Sequence, residues 1–155
     1  MTKSRATKRL VFLLAAVATS ASLFDAAPVG AHGRANVTKA KSGATSEVGF
    51  VVEHGCAKSP TVKVAIKLPV GVTQPVAATK AGWTATFDAK QSTMTWSGGS
   101  LSATQHGTFL ITMKMPTAAA GTVLTFPMVQ TCVVGSLRWI EGPKSKYPAP
   151  TVTIN

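Results

Sequence analysis

The sequence predicts an all-β protein: one antiparallel β-sandwich of the immunoglobulin or cupredoxin type, preceded by an N-terminal signal peptide. Three observations support this prediction. From residue 32 onward, apolar and polar side chains alternate over short runs, which is the period of a half-buried strand. Glycine and proline punctuate the runs, and the alanine run at 118–120 is only a helical turn long. Seven or eight short strands with such punctuation are typical of sandwiches.

The first 31 residues have the order of a secretory signal peptide. Four basic residues lie within the first nine positions, residues 10–18 are apolar, and small residues follow up to Ala31. Charge, apolar core and small-residue cleavage site are the three parts of such a signal. A membrane span needs roughly 20 residues, so an N-terminal anchor is the less favoured alternative.

Cleavage after Ala31 would make His32 the first residue of the mature protein and leave one domain, residues 32–155. Cuts after Ser22 or Ala27 are the alternatives. The signal peptide predicts that the mature domain is secreted or periplasmic, within the cell envelope. No later apolar segment of the sequence is long enough to span a membrane.

The strands are predicted in chain order from the alternation and from the residues that end each run. In 62–68, Val62, Val64 and Ile66 alternate with polar or small residues, and Pro69 ends the strand. Strand 93–96 is expected to end at the Gly98-Gly99 pair. The full set of predicted strands is 47–52, 62–68, 83–88, 93–96, 109–115, 122–131, 137–141 and 149–154.

The charge of the mature chain indicates a solvated basic surface. Of 16 basic and 5 acidic residues, the segment 1–31 holds four and one, which leaves 12 and 4 and a net charge of +8. The lysines are spread singly and are not clustered with arginine and aromatics, so we do not expect nucleic-acid binding. Four scattered carboxylates also offer little for general acid–base catalysis, and we expect no enzyme.

Cys56 and Cys132 are the two cysteines of the chain. In an exported protein an isolated pair is expected to form a disulfide. The alternative is a pair of thiolate metal ligands, although neither cysteine belongs to a CxxC motif.

Histidines supply the candidate metal ligands. A mature N-terminal His32 would offer its amine and its ring to one ion, which suits the planar nitrogen and oxygen coordination of Cu(II). His106 lies in a polar loop before a strand and is a second candidate. His54 adjoins the expected disulfide at Cys56, and a structural role is favoured for it.

Trp139 and Glu141 are two residues apart on a predicted strand, so their side chains share a face. If Ile140 points into the core, both lie on an exposed or cleft-facing surface and indicate a site. The alternative is a buried Trp139 with Glu141 at the frayed end of the strand.

Five segments of the chain resemble the YcnI-like copper-binding domain family of bacteria. They run in the family order through most of the mature chain. The segments are HGCAKSPTVKVAIKLPVGV (54–72), AGWTATF (81–87), TWSGGSL (95–101), GTVLTFPMVQTC (121–132) and WIEGP (139–143). The two cysteines match the two of the family.

The resemblance implies an exported β-sandwich that carries or buffers Cu(II) and meets copper-transport proteins of the cell envelope. In such proteins a mature N-terminal histidine and a glutamate hold the ion, and a tryptophan, here Trp139, lies against it. Asn36 stands at the family's histidine position and Thr108 at that of the glutamate. The expected ligands are therefore His32, His106 and Glu141. The alternative is an envelope binding or structural module that has kept the sandwich and lost the metal.

Overall fold

The computed structural model describes residues 33–155, so the predicted signal peptide and His32 lie outside the described residues. Within 33–155 the chain forms twelve strands and no helix, and hence no helix suited to crossing a membrane. The strands are β1 (Arg34–Ala35), β2 (Lys39–Ala40), β3 (Thr45–Val52), β4 (Thr61–Lys67), β5 (Thr73–Ala77), β6 (Thr84–Asp88), β7 (Thr93–Leu101), β8 (Gly107–Lys114), β9 (Val123–Thr125), β10 (Met128–Cys132), β11 (Ser136–Trp139) and β12 (Thr151–Ile154).

The strands form three sheets. One has the order β1-β3-β8-β5, the largest has the order β11-β10-β4-β7-β6, and the smallest has the order β2-β12-β9. Every pair is antiparallel except β2 with β12. The all-β sandwich prediction is confirmed.

Aromatic side chains join the four-stranded sheet to the five-stranded sheet. The ring centroids of Phe109 on β8 and Trp96 on β7 are 5.3 Å apart. The ring centroid of Trp83 is 5.1 Å from that of Phe109. Phe109 and Trp96 are at most 1% exposed. The alternating residues of β4 and β8 point into this interior, as the sequence period predicts.

Glycine accounts for the main error in the strand prediction. The expected break at Gly98-Gly99 is wrong, because β7 continues to Leu101. Gly98 has a φ of 81°, which a glycine adopts without strain. The Trp83 ring occupies the space that a Cβ on Gly99 would fill. These glycines therefore bend the strand and admit the indole, and the strand does not end at them.

Three short strands have no counterpart in the prediction, and one predicted strand is divided. β1 and β2 have two residues each, too few to show a period. β5 contains Pro75 and lies at a sheet edge, where a missing N–H is tolerated. Phe126 and Pro127 split the predicted strand 122–131 into β9 and β10.

Candidate metal site at the N-terminal strand

Trp139 ends the edge strand β11, where it pairs with Met128 of β10. Its side chain is 1% exposed, whereas Ile140 is 43% exposed and faces outward. The sequence left two interpretations of this strand open. The one with a buried Trp139 is confirmed, and the one with Ile140 in the core and Trp139 exposed is wrong. Glu141 lies beyond the end of β11 and is exposed; its backbone forms a bridge with Pro148.

The N-terminal segment packs directly on Trp139. β1 pairs with β3 in the register Arg34 to Val51, which brings Gly33 into the interior. A Cβ on Gly33 would lie 2.8 Å from Trp139 Cδ2 and nearer still to the end of Met128. Only glycine fits this close approach of backbone to ring. The residue that follows His32 is therefore fixed against the tryptophan that the sequence singled out.

A surface ion pair also ties this segment to Glu53, the residue that follows β3. Arg34 Nε donates to Glu53 Oε1 at 2.7 Å, with the two side chains 57% and 36% exposed. An exposed pair of this kind contributes at most about 1 kcal/mol. The ion pair matters here because it holds the carboxylate of Glu53 beside the N-terminal strand. Nothing local in the sequence distinguishes Glu53 from any other surface glutamate, so its place beside β1 is seen only in the structure.

The predicted ligands within the described residues lie on separate elements. His106 is exposed in the loop before β8, and the next residue, Gly107, pairs with Val52 of β3. Glu141 follows β11 in the other sheet. Among residues 33–155 no three histidine, cysteine, aspartate or glutamate side chains are close enough to hold a metal ion. His32 falls outside these residues, so its ligation remains a prediction.

The two positions at which the family resemblance expects ligands do lie together. Asn36 and Thr108 meet over Gly49 of β3, where a Cβ would be 2.7 Å from Asn36 Nδ2 and 2.7 Å from Thr108 Cγ2. The side chain of Asn36 serves the backbone, because its Oδ1 accepts the Gly49 N–H at 2.7 Å. Lys80 Nζ donates to the Thr108 carbonyl at 3.2 Å. An amide, a hydroxyl and an ammonium do not suit Cu(II).

The cysteines form the predicted disulfide, Cys56–Cys132, between the loop after β3 and the end of β10. His54 lies beside it with Nδ1 2.6 Å from the Gly55 carbonyl. Gln130 Nε2 donates to the His54 carbonyl at 2.7 Å. The loop is thus held by a covalent bond and a buried amide, which agrees with the structural role favoured for His54.

Residues 32–93 and 87–154 match the family described as a domain of unknown function, DUF1775. The chain belongs to this DUF1775 family. The matched ranges include Gly33, Trp139 and both cysteines, so the packed N-terminal strand lies inside the family domain. No curated protein matches the chain.

Solved structures place the DUF1775 domain among immunoglobulin-like folds. An uncharacterized protein from Nocardia farcinica with such a fold is 26% identical, with a TM-score of 0.69 over 79% of this chain and 97% of that one. The third cohesin ScaC of Acetivibrio cellulolyticus, solved with the ScaB dockerin, is 11% identical, with a TM-score of 0.51 over 79% of this chain and 97% of that one. The cohesin likeness concerns the fold alone.

Proposed function

We propose that the mature DUF1775 domain is an exported carrier or buffer of Cu(II), of the YcnI-like kind, and that it catalyses no reaction. The observation that supports this most is the packing of Gly33 on Trp139. Consecutive Cα atoms are about 3.8 Å apart, so the covalent chain limits how far residue 32 can lie from the indole. Signal-peptide cleavage after Ala31 would then place a free amine and an imidazole in this region.

A mature N-terminal histidine has donor atoms that suit Cu(II), the proposed cargo. An α-amine has a reference pKa of about 7.7–8.0, so copper competes with only one weakly held proton. The amine and ring of one histidine close a chelate on a single ion, and Cu(II) prefers such nitrogen donors in a planar arrangement. Gly33 contributes no side chain that would obstruct the ion.

A further donor from the described residues would complete the proposed site. His106 and Glu141 are the predicted ones, and Glu53 is another candidate because Arg34 holds it at the N-terminal strand. No three such side chains lie close together within residues 33–155, so at most two of them join His32. His106 leads into β8, which is separated from β1 by the single strand β3. That separation is about 10 Å, or two strand spacings.

The second candidate function is an envelope binding or structural module without copper. The observation that favours it is the Asn36–Thr108 pair, since both family ligand positions carry side chains that do not suit copper. N-terminal sequencing of the exported protein separates the two candidates at once. A mature chain that begins at any residue other than His32 has no chelating terminus of this kind, and the copper proposal then fails.

Titration with Cu(II) tests the ligands. We expect His32→Ala to abolish tight binding, and His106→Ala or Glu141→Gln to weaken it. His54→Ala is the matched control, because the His54 ring is held within its own loop by the Gly55 carbonyl. Equal affinity of the wild-type protein and His32→Ala would overturn the assignment.

Tryptophan fluorescence gives an independent measurement. Bound Cu(II) near Trp139 should quench its emission, so Trp139→Phe should remove most of the copper-dependent change. Trp96→Phe is a suitable control because Trp96 is equally buried, at 1% exposure, but lies on β7. Similar loss of the response in both variants would place the ion away from β11.

A further inference from the structure

The disulfide Cys56–Cys132 has hydrogen-bond donors gathered at one of its two sulfur atoms. Cys132 Sγ accepts the backbone N–H of Cys56 at 3.0 Å, and Gln130 Nε2 donates to it at 3.7 Å. The hydroxyl oxygen of Thr61 lies 3.9 Å from the same sulfur. None of these three contacts is made to Cys56 Sγ. The two ends of the disulfide therefore differ in how well they would carry a negative charge.

The donors around Cys132 are fixed by their other hydrogen bonds. Thr61 Oγ1 accepts a hydrogen of Gln130 Nε2 at 2.5 Å, which leaves the hydroxyl hydrogen available to Cys132 Sγ. Gln130 Nε2 also donates to the His54 carbonyl at 2.7 Å. Both side chains are fully buried, so bulk water does not compete for them. A disulfide sulfur is a weak acceptor, whereas a thiolate is charged and forms stronger hydrogen bonds with the same groups.

The other cysteine faces the surface. Cys56 lines an apolar depression whose rim includes Val133 and Val134, and Cys132 does not line it. The two valines are 66% and 73% exposed. A reagent that enters this depression therefore meets Cys56, with Cys132 and its donors on the buried side of the bond.

The turn that follows Cys56 is strained. Ala57, which lines the same depression, has a φ of 54°, in the left-handed region that glycine adopts far more readily than alanine. The turn is closed by hydrogen bonds of 2.9 and 3.1 Å between the backbones of Cys56 and Ser59. Strained backbone of this kind clusters at sites that react or move. Opening the disulfide would remove the cross-link that holds this turn to β10.

We propose that Cys56–Cys132 is a thiol–disulfide exchange site, which a protein dithiol reduces while the domain is folded. A thiolate of the reductant attacks Cys56 Sγ, a disulfide forms between the two proteins, and the Cys56–Cys132 bond breaks. Its electron pair leaves on Cys132 as a thiolate, which the Cys56 N–H, Thr61 and Gln130 stabilise. A better-stabilised leaving thiolate departs faster, so these donors set the direction of attack.

The second thiol of the reductant completes the exchange. It loses its proton and attacks the reductant's own sulfur in the mixed disulfide, and Cys56 leaves and takes up a proton. The dithiol is thereby oxidised to a disulfide, and the domain is reduced to one thiol and one thiolate. The exposed valines beside Cys56 favour a protein reductant, because apolar contact stabilises the encounter with another protein surface. This site is independent of the proposed copper site.

Trapping the intermediate tests which sulfur is attacked. The exported, folded protein is treated briefly with 2-mercaptoethanol, alkylated with iodoacetamide, digested and analysed by mass spectrometry. We expect the mercaptoethanol adduct on Cys56 and the alkyl group on Cys132. Adducts divided equally between the two cysteines, or found mainly on Cys132, would overturn the proposal.

The rate of reduction by dithiothreitol tests the stabilised thiolate. Thr61→Val removes the hydroxyl and keeps the side-chain shape, and it should slow reduction roughly three- to tenfold, because a hydrogen bond to the forming thiolate is lost. Thr131→Val is the matched control, since Thr131 directly precedes Cys132 on β10 and its side chain points to the opposite face. A loss of stability alone would expose the disulfide more often and speed up its reduction. A Thr61→Val rate equal to or above that of the wild-type protein would therefore overturn the proposal.

Urea distinguishes reaction of the folded domain from reaction of unfolded chains. Below the unfolding transition the rate of reduction by dithiothreitol should stay constant, because the folded state itself reacts. A rate that rises steeply from the lowest urea concentrations would show that the disulfide reacts only after unfolding, and the proposal would fail.

Reduced thioredoxin serves as the protein dithiol that tests the surface around Cys56. Val133→Ser/Val134→Ser should slow reduction by thioredoxin several-fold and leave reduction by dithiothreitol unchanged. Val70→Ser/Val123→Ser is the matched control, since it replaces two other exposed valines that do not line the depression. Equal rates for the two double variants with thioredoxin would overturn the assignment of a protein reductant to this surface.

Discussion

Substitution of Gly33 tests the packing of the N-terminal strand and the proposed copper site together. A Cβ at this position would lie 2.8 Å from Trp139 Cδ2, which is closer than real Cβ atoms come to other heavy atoms. Trp139 and Met128 are at most 1% exposed, so neither can move toward solvent without disturbing the interior. Gly33→Ala must therefore displace either the indole or strand β1.

The expected cost follows from two opposing effects. Adding a methyl group to a filled interior typically costs about 1–3 kcal/mol. Replacing glycine by alanine also restricts the unfolded chain, which favours the folded state by about 0.4–1 kcal/mol. We expect a net destabilisation of about 1–2 kcal/mol, or a fall in Tm of roughly 4–8 °C for a domain of this size.

Gly142→Ala is the matched control, since a Cβ on Gly142 would meet no atom within 4 Å. It keeps the unfolded-state effect and lacks the clash, so it should leave stability unchanged or slightly raised. Urea and thermal unfolding of both exported variants measure the difference. Equal stabilities would refute the packing of Gly33 on Trp139. A destabilised Gly33→Ala that binds Cu(II) with wild-type affinity would separate the packing from the copper site.

Two further variants test the interior near the disulfide. Replacing both Cys56 and Cys132 by alanine should lower the free energy of unfolding by roughly 4 kcal/mol, because the bond closes a loop with a sequence separation of 76; denaturant unfolding without reductant measures this, and a loss under 1 kcal/mol would contradict it. Gln130→Ala should cost about 2 kcal/mol or more, since it opens a cavity and leaves the His54 carbonyl without its buried donor. A stability within 0.5 kcal/mol of wild type, the range of ordinary surface changes, would show that this bond does not hold the loop.

Strands with a long apolar period were predictable, and those defined by distant contacts were not. β4 and β8 have seven and eight residues, and apolar and polar side chains alternate along them. The sequence therefore predicts which side chains point into the core. β1 has only two residues. It forms because Arg34 pairs with Val51 of β3 and the preceding Gly33 packs on Trp139, and the local sequence encodes neither contact. The Gly98-Gly99 pair predicts a strand end because the local sequence does not show that the Trp83 ring packs against Gly99.

The candidate site was predictable in its residue types and not in its arrangement. The sequence indicates His32 as a candidate ligand because cleavage after Ala31 would make it N-terminal, and Trp139 because it lies near the carboxylate of Glu141. That Gly33 joins the two regions depends on contacts more than 90 residues apart in sequence. Glu53 became a candidate only through its ion pair with Arg34, which no local pattern encodes.

Asn36 tests whether copper binds at the position where the family resemblance implies a histidine ligand. Its Oδ1 accepts the Gly49 N–H, so Asn36→Ala should cost about 1 kcal/mol, the usual net contribution of one such bond. Asn36→Asp keeps an acceptor oxygen at the same place and should retain most of that stability. Neither substitution should change Cu(II) affinity if the ion is held at His32, because the Asn36 side chain is engaged by the backbone of β3. A loss of affinity in Asn36→Ala as large as that in His32→Ala would mean that copper binds between Asn36 and Thr108 and not at the N-terminus alone.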